Sequence, residues 1–266
     1  MKEFKDRVAV ITGAGGGVGR CLAQALAARG CHLALVDISP DALEATAKSV
    51  ASHGIRTSQH VVDVTRREQM AALPEAVLAE HGQVNLLINN AGITYQKSFA
   101  THSIDDWERI VGINWWGVLY GCHYFLEALQ ASGEAHIVNM SSMSGYVALP
   151  GQTSYCATKA AVRLFSESLW AELEKLNIGV TSVHPGAIKT DMIQATLAQS
   201  DDVAAARRNY EMAQRIGVTP EHVAERVINA IERGSIRIRV GKDAVLLDVL
   251  KRLFPVGLQK FFRRIA

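Results

Sequence analysis

The chain has 266 residues, 48% of them hydrophobic and 20% charged, with a formal net charge of +2. That length suits one large α/β domain and that apolar content feeds a sizeable core, which excludes a disordered polymer. A near-neutral balance with no recognition motif argues against nucleic-acid binding, and no apolar run is long enough to span a bilayer.

Arg7–Thr12 reads as a short buried strand. Gly13, Gly15, Gly17 and Gly19, with Val18 between the last two, follow at once, and an Ala/Leu-rich helix is expected over Gly17–Arg29. Strand, glycine-rich turn and helix is the context of a dinucleotide site. The glycines let the backbone approach a pyrophosphate, whose charge sits at the helix N-terminus. A second strand, His32–Val36, ends at Asp37. An acidic side chain about twenty residues past the glycines suits two ribose hydroxyls and repels a 2′-phosphate. Gly16 lies before the second motif glycine, and Ile38 and Ser39 follow Asp37, so no cation offsets that repulsion. NAD is therefore expected over NADP. Ser39, rather than Asp37, is the better-placed cap for the helix Pro40–His53.

Further strands are expected at Thr57–Val62, Val84–Asn89, Ala135–Met140, Gly179–His184 and Ile236–Val240. Helices fill the gaps at Arg66–His81, Asp105–Gln130, Ser154–Lys175 and Pro220–Arg233. This alternation predicts an α/β, single-domain Rossmann fold over residues 1–240. Its sheet is doubly wound, mostly parallel and seven-stranded, with helices on both faces. Ligands in such sheets sit at the carboxyl ends of the strands.

Tyr155 and Lys159 stand at i and i+4 and share one face of their helix. A free phenol, with a pKa near 10, is a poor base at neutral pH, and an adjacent ammonium favours the phenolate. Ser142, just past the end of the Ala135–Met140 strand, is placed to hold an alcohol or carbonyl oxygen beside that phenol. Ser141 points to the other side of the extended backbone and reads as structural. The four cysteines, Cys21, Cys31, Cys122 and Cys156, show neither C-x-x-C nor metal spacing and read as reduced packing residues. The nine histidines are scattered, so no metal site is expected. The opening MKEFKDR carries no signal-peptide core, which points to a cytoplasmic location.

Together, Thr12-Gly13-x-x-x-Gly17-x-Gly19, Asp63-Val64, Asn89-Asn90-Ala91-Gly92, Asn114, Ser142, Tyr155-x-x-x-Lys159 and Pro185-Gly186 with Thr190 resemble the short-chain dehydrogenase/reductase family. The likeness is to its compact, single-domain NAD(P)-dependent branch and runs from Lys5 to Arg239. It implies that Asp63 and Val64 contact the adenine, and that Asn90, followed by Ala91 and Gly92, stabilises the central strand and borders the cofactor. It implies that the loop after Pro185 and Gly186 sets Ile188 and Thr190 against the nicotinamide carboxamide. In the roles so implied, Tyr155 is the general acid/base, Lys159 holds the nicotinamide ribose and tunes the phenol, and Ser142 orients the reacting oxygen. Asn114, in a disturbed helix turn, would link Lys159 through water to solvent. The resemblance puts the substrate pocket among Thr94–Phe99, Met143–Thr153 and Met192–Ile216. Ser142, Met143, Leu149, Tyr155, Met192 and Ile193 are its expected lining, mostly apolar, which favours a hydrophobic alcohol or ketone. His184 and the pair Trp115 and Trp116 read as packing or subunit contacts.

Residues 241–266 form a basic amphipathic C-terminal extension of the same domain. Val245, Leu246, Val249, Leu250 and Leu253 fall on one helical face, and Leu258, Phe261, Phe262 and Ile265 do so after the Pro255 break. Such a segment is able to lie on an anionic membrane. By base rate the expectation is packing on its own domain or on a sister subunit, with the glycine-rich site at the other end of the chain independent of it. The expected protein is thus an NAD-dependent alcohol dehydrogenase or ketoreductase, a homodimer or homotetramer acting on a small-molecule alcohol or ketone. The runner-up is an NADP-linked ketoreductase. A rival of a different class is a non-catalytic dinucleotide-sensing regulatory or scaffold protein on the same fold. That rival is expected to lack one of Ser142, Tyr155 or Lys159, and all three are present.

Overall fold

The computed structural model describes residues 1–190, 192, 194, 197 and 200–265. Seven parallel strands form one sheet: β1 (Val8–Thr12), β2 (His32–Asp37), β3 (Thr57–Val61), β4 (Leu86–Asn89), β5 (Ala135–Met140), β6 (Ile178–Pro185) and β7 (Arg237–Val240). Their order is β3-β2-β1-β4-β5-β6-β7, as expected of a doubly wound sheet. The chain leaves β1 in one direction to build β2 and β3, then returns to the other edge of β1 with β4. The crevice between β1 and β4 is the switch point where such sheets bind ligands.

The inner strands β1, β2 and β4 are apolar on both sides because helices cover both faces, whereas the edge strands β3 and β7 mix polar and apolar residues. Ala9 and Ile11 of β1 face one core layer with Leu22 and Leu26 of α1 (Gly17–Ala27), Leu43 of α2 (Pro40–Val50), and Val227 and Ile231 of α9 (Pro220–Glu232). Val8 and Val10 face the other layer. There they meet Met70 and Leu73 of α3 (Arg67–His81), Val118 of α5 (Gly117–Tyr124) and Val162 of α7 (Thr153–Leu173). Local chemistry sets the helix starts. Ser39 caps α2 by accepting from Ala42, with Pro40 in the first turn, and Thr219 followed by Pro220 does the same for α9.

Two stretches differ from expectation. The helix read over Asp105–Gln130 is divided into α4 (Ile104–Val111), a π-turn (Gly112–Trp116), α5 and α6 (Leu126–Ala131), the π-turn being the disturbed turn that the resemblance implied at Asn114. The wider turn re-aims Asn114, which is fully buried. Part of the segment read only as pocket lining is the helix α8 (Val203–Ile216), which buries Ala206 and Ala213 at the seven-residue spacing of one face.

The tail forms α10 (Lys242–Leu253) and α11 (Gly257–Ile265). Its orientation corrects the expectation of coverage by the domain. Ala244 and Asp248 face inward, while Val245, Leu246, Val249 and Leu253 are exposed. The reason is electrostatic. Buried Asp248 accepts from Arg239 of β7 at 2.7 Å and from Arg252 at 3.0 Å, and these bonds turn α10 so that its apolar stripe points outward. Among the described residues no helix is long and apolar enough to cross a membrane.

Candidate active site

The glycine loop joins β1 to α1 at the carboxyl end of the sheet. Gly13 has φ +64°, a left-handed conformation that favours glycine. At Gly19 a β-carbon would collide with the Gly13 carbonyl, so only glycine lets α1 start this close to the loop. The N-cap of α1 is Gly16, which has no side chain to satisfy the first-turn amides and leaves them for an anion. Val18 is buried behind the loop. Asp37, at the end of β2, accepts from the Gly15 amide at 2.9 Å and from the Ser39 amide at 3.1 Å. The carboxylate therefore sits against the loop, where the adenosine ribose of a dinucleotide would lie.

Other predicted cofactor residues follow the same carboxyl ends of the strands. The Asn90 amide group donates to the carbonyls of Thr12 at 3.0 Å and Gly13 at 3.1 Å, tying the end of β4 to the end of β1. Ala91 N–H adds a bond to the Thr12 hydroxyl at 3.1 Å. Asp63 turns back on its own loop, accepting from Thr65 N–H and Oγ1, and Val64 packs over Gly117 of α5. Past β6, Gly186 leads into Ile188, which bridges to Val218, and Thr190 faces Gly17 across the crevice. These residues fit a dinucleotide: free helix amides, an acidic group at the ribose end, and a glycine cradle with no side chain in it.

At the end of β5 and on α7, Ser142, Tyr155 and Lys159 converge. Burial pushes the Tyr155 phenol above its usual range, and a hydrogen bond with the Ser142 side chain opposes that rise. Lys159 is buried, its Nζ donating to the Met140 carbonyl at 2.8 Å and lying 5.7 Å from the centre of the Tyr155 ring. Burial pulls its ammonium down to about 8. In this arrangement desolvation of the phenol outweighs the Ser142 hydrogen bond. Asn114 bridges Ile93 in both directions at 2.9 Å and donates to Thr158 Oγ1 at 3.3 Å. Its Oδ1 and the Lys159 Nζ both border the space above Gly92, so the four predicted catalytic residues belong to one cluster.

Supporting groups complete it. Ser141 donates to the Lys159 carbonyl at 2.7 Å, the structural role its direction implied. His184 is held between Ser182 Oγ at 2.9 Å and the Ser142 carbonyl at 3.1 Å, and its ring packs at a tilt against Tyr146, centroids 4.4 Å apart. Cys156 is buried beneath Val147 and Leu149. Met143 opens a short turn after Ser142, and Met192 is exposed, whereas Ile193 lies outside the described residues. Leu149 borders a cavity of about 340 Å³ with Cys156, Ala157 and Ala160, on the flank of α7 turned away from Tyr155 and Lys159. Asp201 accepts from Ser98 N–H at 2.6 Å, joining the 94–99 loop to the segment before α8.

Sequence reasoning missed two residues here. Arg20 donates to the Gly15 carbonyl and, at 3.0 Å, to Thr46 Oγ1, bracing the glycine loop. Asp243 accepts from the Ala187 N–H at 2.7 Å and steadies the turn after Gly186. Arg20 was visible as the residue right after the loop; Asp243 had no local signal, because its partner is 56 residues away.

Comparisons with known proteins agree with this geometry. The short chain dehydrogenase family pattern matches residues 7–201. A Mycobacterium tuberculosis protein provisionally named the oxidoreductase SadH is 39% identical over 98% of this chain and 99% of its own length. A short chain dehydrogenase/reductase from Burkholderia phymatum, solved in complex with NAD, superposes with a TM-score of 0.88 at 31% identity, over 97% of both chains. Levodione reductase superposes with a TM-score of 0.81 at 28% identity, over 90% of this chain and 96% of its own. The chain belongs to the short-chain dehydrogenase/reductase family and is an oxidoreductase of that family.

Proposed function

We propose that the protein is an NAD-dependent dehydrogenase or reductase interconverting a hydrophobic secondary alcohol and its ketone. The observation that carries this reading is the convergence of Ser142, Tyr155 and Lys159 at the carboxyl end of β5, beside the crevice formed by the glycine loop and Asp37. Likeness to a structure holding NAD and to a reductase of a dione supports it.

Ser142 holds the substrate oxygen, and Tyr155 takes the hydroxyl proton during oxidation or returns it during reduction. When bound, the nicotinamide supplies the hydride acceptor or donor and, in its oxidised form, a positive charge that favours the phenolate. Lys159 anchors the nicotinamide ribose and adds its ammonium to the same effect. Bringing a phenol from about 10 towards 7 takes roughly 4 kcal/mol of preferential phenolate stabilisation, so burial alone works against the base and the cations are needed. Asn114 fixes the Ile93–Gly92 backbone beside Lys159 and offers the lysine a path to solvent through water. Asp37 receives the adenosine ribose hydroxyls, while Arg20, the nearby cation, has donors committed to Gly15 and Thr46. Homodimer or homotetramer assembly in the cytoplasm is part of this reading, with exposed Trp116 stacked on Tyr120 as one candidate contact.

The test is reduction of a panel of hydrophobic ketones with NADH. Tyr155→Phe is expected to lower kcat by about 100-fold or more while NADH binding survives. Retention of near-normal turnover by that variant removes Tyr155 from the chemistry. Tighter binding of NADPH than NADH overturns the cofactor assignment.

A further inference from the structure

We infer that α10, α11 and the turn between them form a docking face for an anionic lipid surface. Leu246, Val249, Leu253, Phe254, Val256 and Phe261 run along this segment, each between 41% and 66% exposed. This is a continuous series of large apolar side chains that the body of the chain does not cover, and soluble proteins rarely leave such a patch bare. Leu253, Phe254 and Val256 cluster at the turn, where the apolar series protrudes between two helix ends.

Charge decides what covers it. Lys242, Lys260, Arg263 and Arg264 enter no ion pair among the described residues. The two acidic residues of the segment are both consumed inside the protein, Asp243 by the Ala187 amide and Asp248 by Arg239 and Arg252. The outer face is therefore apolar and purely cationic. A second copy meeting it face to face would bring like charges together, which costs free energy at a desolvated contact. Anionic headgroups complement the cations, and acyl chains accept the apolar row, the pairing that holds amphipathic helices in the interfacial plane. Neither helix is long enough to cross the bilayer, so the contact is peripheral.

The face is also fixed relative to the catalytic side of the molecule. Buried Leu258 and the bond from Gln259 Nε2 to the Ala148 carbonyl, at 2.9 Å, pin α11 to the loop beyond the turn that follows Ser142. A docked enzyme thus holds this loop beside the lipid. The inference stands apart from the proposed reaction and is tested without turnover.

The test is sedimentation of the full-length protein with vesicles of phosphatidylcholine alone, or containing roughly a third phosphatidylglycerol, at low and high salt. The expected result is co-sedimentation with the anionic vesicles that high salt weakens. Replacing Lys260, Arg263 and Arg264 with Gln is expected to weaken it by about a hundredfold, at roughly fivefold per cation. Leu253→Ser with Phe261→Ser is expected to cost about tenfold or more per side chain withdrawn from lipid. Circular dichroism melts check that the variants remain folded. No preference for anionic vesicles, or binding unchanged in the folded variants, overturns the inference. A fall in sedimentation mass of the Leu253→Ser, Phe261→Ser variant, in a protein that ignores vesicles, reassigns the face to a second copy.

Discussion

Asp243, in the first turn of α10, accepts the backbone N–H of Ala187 at 2.7 Å. Its carboxylate fills the space that a side chain at Gly186 or Gly241 would need. The tail is thereby coupled to the turn that runs from Pro185 to Thr190 and closes one side of the cofactor crevice. Asp243→Ala is expected to weaken NADH binding about tenfold, the scale of a hydrogen bond to a charged group. Fluorescence titration of NADH reads this directly, and unchanged affinity would show that the turn holds itself. Truncation after Val240 removes the same bond and is expected to have the same effect, against the expectation from sequence distance that the tail leaves the glycine-rich site intact.

Cofactor choice is expected to turn on Asp37. Replacing it with Ala, together with Ile38→Arg, removes the repulsion of a 2′-phosphate and adds a cation from an exposed position. The ratio of NADPH to NADH affinity is expected to swing by about a hundredfold, roughly 3 kcal/mol. Overall affinity is expected to fall as well, because the carboxylate also anchors the Gly15 and Ser39 amides. Paired titrations of the unmodified and substituted proteins with both cofactors settle it, and an unmoved ratio rejects the role of Asp37.

Lys159 brings a pH dependence of defined sign. Burial holds its pKa at about 8, so the ammonium is present below that value and lost above it. If the charge holds the ribose, NADH affinity falls as pH rises through about 8. Lys159→Arg keeps the charge throughout and is expected to flatten the profile, even where turnover suffers. An identical pH profile in the two proteins would mean the lysine acts as a neutral donor.

Acid is expected to destabilise the fold through two buried histidines. Burial lowers both His136 and His184 from 6.5 to about 3. Between those values the unfolded chain binds protons that the folded chain does not, so stability falls as pH drops below about 6.5. Each contributes about 1.4 kcal/mol per pH unit over that window. Urea unfolding at stepped pH measures the slope, and His136→Gln, which keeps a partner for Thr181 Oγ1, is expected to reduce it by about one proton. Stability independent of pH down to about 4 would falsify the assignment.

The sheet was legible because its inner strands are short apolar runs set off by glycine-rich or polar turns, a pattern with little ambiguity when it alternates with helices. Tyr155 and Lys159 were legible because helical spacing alone places them together. The division of the Asp105–Gln130 helix was not readable from periodicity, since Gly112–Trp116 remains helical in pattern and only the hydrogen-bond register widens. The direction of the tail was hidden for another reason. Its apolar stripe obeys the usual rule for a core-facing helix, but buried Asp248 and its two arginine partners override that rule. Asn139 was also passed over. It accepts from Asn89 at 2.8 Å and donates to Ser166 at 3.0 Å, a polar link between strands and α7 that no local pattern announces.

The bonds from Asn90 to the Thr12 and Gly13 carbonyls span 78 and 77 positions of the chain. A fragment carrying β1, every glycine of the loop and Asp37, but ending before Asn90, would possess the whole visible signature without the clamp that shapes it. The signature is therefore not a portable cassette. Recombination or grafting that separates β1 from β4 removes the Asn90 bonds to the loop even where both pieces keep their own secondary structure. What gives the loop its shape is the strand pair, not the glycine-rich stretch alone.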